Sequence, residues 1–178
     1  MNIINNDLMF SSKSDSWETP QDLFDKLNKE FNFTLDPCAT HENHKCDKYY
    51  TKEDDGLSKD WSNEKVFVNP PYGRSIGKWV KKCYEESKKQ NPNIIMLIPS
   101  RTDTKWEHLY IFERAKAICF IKGRLKFINR EFPSYNENGD FKISSAPFPS
   151  QIVLFSDDNL TSEQMKLFNE LGKLIVLK

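Results

Sequence analysis

A chain of 178 residues with 38% hydrophobic and 13% aromatic side chains has the length and apolar content for one packed domain, which excludes a disordered tail. Lysine plus arginine number 26 and aspartate plus glutamate number 26, so the formal charge is zero and any face for a polyanion has to be local. No apolar run approaches the span of a bilayer, and residues 1–16 lack the apolar stretch of a secretory signal, so a cytosolic protein with four reduced cysteines and no membrane partner is expected.

Residues 1–16, rich in Asn, Ser and Asp, read as a flexible arm, and residues 17–178 read as a single domain without repeats or linkers. Thr19 and Pro20 have the chemistry of a helix start, threonine as cap and proline as first helical residue. Leu23, Phe24, Leu27 and Phe31 then recur at steps of three and four, which predicts a helix over about 20–30. Residues 33–36 read as a strand stopped at Asp36 by Pro37, residues 38–46 as a polar loop, and residues 49–51 as a second short strand. Residues 66–68 form a stronger strand signal, stopped by Asn69-Pro70-Pro71. A helix of about 75–90 turns Ile76, Trp79, Val80 and Cys83 to one side, while Lys78, Lys81, Lys82, Lys88 and Lys89 read as a solvated face.

Further along, residues 94–98 are a continuous apolar run between prolines, as a buried strand requires, and residues 117–121 are another. Residues 103–115 read as helix, 128–149 as a long polar and aromatic loop, 151–155 as strand, 161–172 as helix capped by Thr161 or Ser162, and 174–177 as a last strand. Alternating strands and helices predict an α/β domain, with a mostly parallel sheet and helices on both faces. Only 32 residues separate Asp36 from Asn69, too few for the usual strand and helix complement, so the sheet is expected to be abbreviated and residues 40–65 to hold little helix. Ligands of such sheets bind at the carboxyl ends of strands, where Asp36, Asn69 and Pro99 fall.

Asn69-Pro70-Pro71-Tyr72 follows a strand directly. Methylating an amine on a planar ring is difficult because the nitrogen lone pair is delocalised into the ring. A side-chain amide oxygen (Asn69) and a backbone carbonyl stiffened by two prolines (Pro70, followed by Pro71) can accept both N–H groups, draw the nitrogen towards a tetrahedral form and free its lone pair. Tyr72 offers a face on which a base can stack. Catalysis of this kind is positioning and polar preorganisation, with no metal called for.

The tetrapeptide resembles the [Asp/Asn/Ser]-Pro-Pro-Tyr motif of amino-methyltransferases. The wider series resembles the phage-type DNA N-6-adenine methyltransferases: Trp17-Glu18-Thr19-Pro20, Leu35-Asp36-Pro37-Cys38-Ala39, Asp55-Gly56-Leu57 with Trp61, Asn69-Pro70-Pro71-Tyr72, Arg101-Thr102-Asp103-Thr104 with Trp106, Gly123-Arg124-Leu125-Lys126-Phe127 and Ala146-Pro147-Phe148-Pro149-Ser150. The resemblance covers about residues 17–155. It implies a Rossmann-like class I methyltransferase fold that uses S-adenosylmethionine, flips the target adenine out of DNA and methylates its 6-amino group directly, in a bacterial or phage-infected cell. It further implies cofactor contacts from Trp17, Thr19, Pro20, Asp36, Pro37, Cys38, Ala39 and Asp55. The first-strand turn departs from the common glycine-rich form, since 36–40 contains no glycine.

DNA is the expected partner and no obligate protein partner is evident. Arg74, Arg101, Arg124 and Lys126 are the expected phosphate contacts, the last two on a hairpin, and Arg130, Phe132, Tyr135, Asn136, Asn138 and Phe141 suit base contact or an inserted loop equally. Two rival readings stay open: an amine methyltransferase acting on RNA or on protein glutamine, and a non-catalytic DNA-binding module on a degenerate methyltransferase fold. Cys38, His41, His44 and Cys46 lie within nine positions but lack the spacing of paired zinc ligands, so no metal site is assigned.

Overall fold

A computed structural model describes residues 15–90, 92–128 and 144–178. The predicted Arg130, Phe132, Tyr135, Asn136, Asn138 and Phe141 and most of the arm lie outside them. Helix α1 (Gln21–Phe31) buries the predicted stripe of Leu23, Phe24, Leu27 and Phe31. It ends where Asn32 takes a left-handed conformation (φ 52°), which asparagine tolerates better than most residues. Its start corrects the sequence reading: Pro20 occupies the cap position, and no side chain caps the helix. A Ser or Thr cap is typically worth about 1 kcal/mol, so Thr19 forgoes a stabilising role at the helix; its hydroxyl is engaged elsewhere.

Strands β1 (Leu35–Asp36), β2 (Lys48–Tyr49) and β3 (Lys65–Val68) follow, with a single 3-10 turn, Gly56–Ser58, as the helical content of the expected helix-poor stretch. Then come α2 (Ile76–Glu86), β4 (Asn93–Pro99), a π-helical turn (Glu107–Ile111) running into α3 (Phe112–Arg114), and β5 (Ala117–Ile121). Strands β6 (Lys126–Phe127) and β7 (Ser144–Ser145) pair as a small hairpin, so part of the predicted 128–149 loop is strand. Strand β8 (Ser150–Ser156), α4 (Ser162–Leu171) and β9 (Gly172–Val176) complete the fold. Thr161 caps α4 in a reciprocal box with Gln164.

Seven strands form one sheet in the order β2-β1-β3-β4-β8-β5-β9. The pairs β1/β2, β1/β3 and β3/β4 are parallel, whereas β4/β8, β5/β8 and β5/β9 are antiparallel. The sheet is therefore mixed and less parallel than predicted, although five strands still point one way. Strand β8 is buried along its whole length and β4 along all but its first residue, so both faces of the sheet centre are covered. One cover is an aromatic cluster in which Phe24 of α1 meets Phe33 and Phe67, and Phe31 of α1 meets Phe33 and Phe168 of α4, with ring centroids 5.2–6.0 Å apart. In a second group, Trp79 of α2 stacks on buried Trp61.

The chain leaves β1 for β2 on one side and returns to β3 on the other, so the order reverses between β1 and β3. Parallel strands ending side by side at such a reversal leave a crevice beyond their carboxyl ends. Asp36 ends β1 and Asn69 follows β3, so both fall at that crevice. Gly56 braces it from below: a Cβ there would lie 1.9 Å from the Pro37 carbonyl oxygen, so only glycine fits, and the Trp61 indole N–H donates to the Gly56 carbonyl at 3.0 Å.

Candidate active site

The Asn69 amide is held on three sides. Its Nδ2 donates to the Trp17 carbonyl at 2.6 Å and to Thr19 Oγ1 at 2.9 Å. Its Oδ1 accepts from the Tyr72 hydroxyl at 2.7 Å. Burial pushes the Tyr72 phenol well above its ordinary pKa, so the hydroxyl stays protonated and remains a donor. An amide oxygen has two acceptor directions, and the Tyr72 hydroxyl takes one. Among the described residues, nothing donates to the Pro70 carbonyl. Asn69 and Pro70, adjacent after β3, thus each keep an acceptor with no donor among the described residues.

Asp36 is 5% exposed and its carboxylate accepts the backbone N–H groups of Lys45 (3.1 Å) and Cys38 (3.3 Å). These bonds tie the 38–46 loop to the end of β1. Desolvation by burial outweighs them and raises the Asp36 pKa from 3.8 to about 6. A cavity of about 90 Å3 is lined by Trp17, Glu18, Cys38, Thr40, Asn43, Asn69, Pro70 and Pro71, among others. A smaller one of about 20 Å3 reaches Thr19, Asp36, Cys38, Asn43, Lys45, Phe67 and Asn69. The structure therefore brings Trp17, Thr19, Asp36 and Cys38 around Asn69. Pro20, Pro37, Ala39 and Asp55 line neither cavity. Ala39 instead donates its N–H to the Tyr50 carbonyl at 2.9 Å, and Asp55 is exposed with φ 52°. Burial, reinforced by Asp36, pushes the Cys38 thiol well up, so Cys38 is a neutral wall rather than a nucleophile.

Tyr72 is 5% exposed. Phe127 and Phe148 meet its ring edge-on at 6.0 and 5.5 Å, and Trp17 closes the box against both at 5.9 and 5.2 Å. Phe148 and Trp17 are the half-buried rings of this box. Phe148 was not singled out as a site residue, nor were Thr40 and Asn43; only proximity created by folding reveals them. The segment before α1 is stitched to the same turn, for the Asp15 carbonyl accepts the Tyr72 N–H at 2.8 Å and Glu18 bridges to Ile128.

Arg74, Arg101, Arg124 and Lys126 are all exposed, and among the described residues none has a carboxylate partner. Arg74, Arg101 and Arg124 follow the carboxyl ends of β3, β4 and β5, and Lys126 lies on β6, so they share the rim that holds the cavities. Lysines on and just past α2 are instead engaged: Lys82 with Glu86 at 2.6 Å, and Lys89 with Glu86 at 2.7 Å and with Asp60. His44 stacks on Tyr49 with centroids 4.3 Å apart, and among the described residues no three His, Cys, Asp or Glu converge as a metal site. No described helix is long and apolar enough to cross a membrane.

A family model described as DNA N-6-adenine-methyltransferase (Dam) matches residues 8–166. A DNA N-6-adenine-methyltransferase of Haemophilus phage HP1 is 30% identical over 146 residues, 81% of this chain and 80% of that protein. Another of Escherichia phage T1 is 36% identical over 94 residues, 52% of this chain and 39% of that protein. A putative methyltransferase of Escherichia coli, YfdM, is 42% identical over 65 residues, 33% of this chain and 71% of that protein. A match that runs through the arm, the β1 turn, the Asn69 tetrapeptide and the β8 strand spans every element that builds the site, and this chain belongs to the DNA N-6-adenine-methyltransferase family.

Proposed function

We propose that this chain methylates the exocyclic 6-amino group of adenine in DNA, with S-adenosylmethionine as donor, on an abbreviated Rossmann-like sheet of the class I methyltransferase type. One observation carries the reading: Asn69 and Pro70 line one cavity and Asn69 and Asp36 line a smaller one, and among the described residues Tyr72 is the one donor to Asn69 Oδ1 and nothing donates to the Pro70 carbonyl. The strand reversal between β1 and β3 supports the Rossmann-like assignment, and the family and its phage relatives support the substrate.

S-adenosylmethionine, when bound, supplies an activated methyl group on a positively charged sulfur. The residues suit such a ligand: a buried carboxylate at Asp36, polar side chains at Thr40 and Asn43, and apolar walls at Cys38, Trp17 and Pro70. The cavities of about 90 and 20 Å3 lie between the 38–46 loop and the Asn69 turn, and residues of both would wall a bound cofactor.

An adenine amine inside a duplex is out of reach, so the base flips into the site. Arg74, Arg101, Arg124 and Lys126 hold the flanking phosphates. Asn69 Oδ1 and the Pro70 carbonyl accept the two amine hydrogens and turn the nitrogen lone pair outward. Tyr72 stacks on the base once Phe148 moves off it, with Trp17 beside them. No side chain has to act as a strong base, because the methylated ammonium loses its proton readily.

The test is transfer of a labelled methyl group to DNA, RNA and protein offered separately. Label is expected in DNA and lost when the DNA contains no adenine. Label confined to RNA or protein would replace the substrate. Thermal stabilisation by S-adenosylmethionine without transfer to any substrate would make the chain a non-catalytic module.

A further inference from the structure

Thr19 lines the small cavity beside Asp36, yet its hydroxyl caps no helix and is turned to Asn69. It is 2% exposed, it leaves α1 uncapped, and it accepts a hydrogen bond from the Asn69 side chain 50 residues away. The bonds around Asn69 explain why. A side-chain amide has two nearly isosteric orientations, related by a half-turn. Only one offers oxygen to a substrate amine; the other offers N–H to N–H, which repels. The Trp17 carbonyl can only accept, so the nitrogen end has to face it, and Thr19 Oγ1 takes the second hydrogen of the same nitrogen. The Tyr72 hydroxyl donates to the oxygen end, with the Leu97 carbonyl at 3.2 Å as its alternative acceptor. Among the described residues, every hydrogen-bonding direction of the amide is then committed except one acceptor position on Oδ1.

We propose that Thr19, with the Tyr72 hydroxyl opposite it, is a positioning residue that fixes the orientation of the Asn69 amide so that its oxygen faces the substrate amine. This rests on the catalytic reading of Asn69 given above. In this role the Thr19 hydroxyl acts through Asn69, whose Nδ2 it holds. The Trp17 carbonyl alone leaves the amide free to swing about one bond; the second hydrogen bond removes that freedom.

The test compares Thr19→Val, which keeps shape and loses the acceptor, with Thr19→Ser, which restores it. Turnover on adenine-containing DNA, KM for DNA and Kd for S-adenosylmethionine are measured for each. Thr19→Val is expected to lower kcat about 10- to 100-fold, with Kd for the cofactor unchanged within about twofold, and Thr19→Ser is expected to recover most of the turnover. Wild-type kcat in Thr19→Val would overturn the proposal. So would equal losses in the Val and Ser variants, or a Kd that weakens in step with kcat, which would return Thr19 to the cofactor pocket. Should Thr19→Val not fold, Tyr72→Phe tests the other side of the same frame: kcat is expected to fall about threefold or more with the cofactor Kd unchanged, and no change would overturn the proposal. Asn69→Ala separates the two layers, because full activity there would remove the catalytic reading itself, whatever Thr19 does.

Discussion

Replacing Asp36 with asparagine exchanges a buried charge for a neutral group of the same shape. In the folded chain the Asp36 carboxyl titrates at about 6 rather than 3.8, because burial disfavours the charged form more than two backbone N–H groups favour it. The protonated form is the better tolerated one in the fold, so its stabilising effect is fully present below pH 3.8 and disappears as pH rises through about 6. A shift of about two units corresponds to roughly 3 kcal/mol borne by the wild type at pH 7.5. Asparagine escapes that cost but loses about 1–2 kcal/mol, since its NH2 faces one of the two N–H donors. The variant should be roughly 1–2 kcal/mol more stable than wild type at pH 7.5 and less stable at pH 4. Urea unfolding of both proteins from pH 4 to pH 8 measures this, and the difference between them cancels the titration of other groups. A difference that is flat with pH, or that runs the other way, would refute the argument. Under the proposed function Asp36 faces the cofactor, so the same variant should bind S-adenosylmethionine about tenfold or more weakly despite its greater stability.

Gly56→Ala drives a Cβ into the Pro37 carbonyl and should destabilise by about 1–3 kcal/mol, read as a melting temperature roughly 2–12 °C lower; an unchanged melting temperature would contradict the close approach. Single alanine substitutions at Arg74, Arg101, Arg124 and Lys126 should weaken DNA binding evenly across sequences and reduce the slope of log K against log salt by about 1 each, with cofactor affinity unchanged. Glu107 is fully buried, its carboxylate accepts from Gln151 Nε2 at 2.9 Å on both oxygens, and burial raises the Glu107 pKa. Glu107→Gln removes the buried charge and keeps one acceptor for Gln151 Nε2, so it should stabilise the chain by about 1 kcal/mol at neutral pH, measured by denaturant unfolding.

What was legible in the chain follows from how local each signal is. The stripe of Leu23, Phe24, Leu27 and Phe31, the apolar run before Pro99 and the stop at Asn69-Pro70-Pro71 are decided by neighbours in sequence, and the structure returns them within a few residues. The direction of β8 is not local. A strand buried on both faces reads the same whether its partners run with it or against it, so β8 looked parallel and proved antiparallel to β4 and β5. Thr19 shows the same limit at a single side chain. Its place before Pro20 suits a cap, yet an amide 50 residues away competes for the hydroxyl and wins. Around the cavities, Asn69 and Asp36 stand out in the sequence because they close strands, where ligands meet an α/β fold, whereas Cys38 entered only through the family resemblance. Thr40 and Asn43 reach the cavity only because Lys45 N–H folds their loop back onto Asp36, and Phe148 reaches Tyr72 only through the β6/β7 hairpin and the run into β8, which no periodicity announces.

The acceptor role of Asn69 is tested most directly by the nucleosides of DNA from cells that make no N6-methyladenine of their own. Expression of the wild-type chain should introduce N6-methyl-2′-deoxyadenosine residues into that DNA, and expression of Asn69→Ala to the same level should introduce none while the purified variant still binds S-adenosylmethionine. Equal modification by the two proteins, or none by either when both bind the cofactor, would contradict the account.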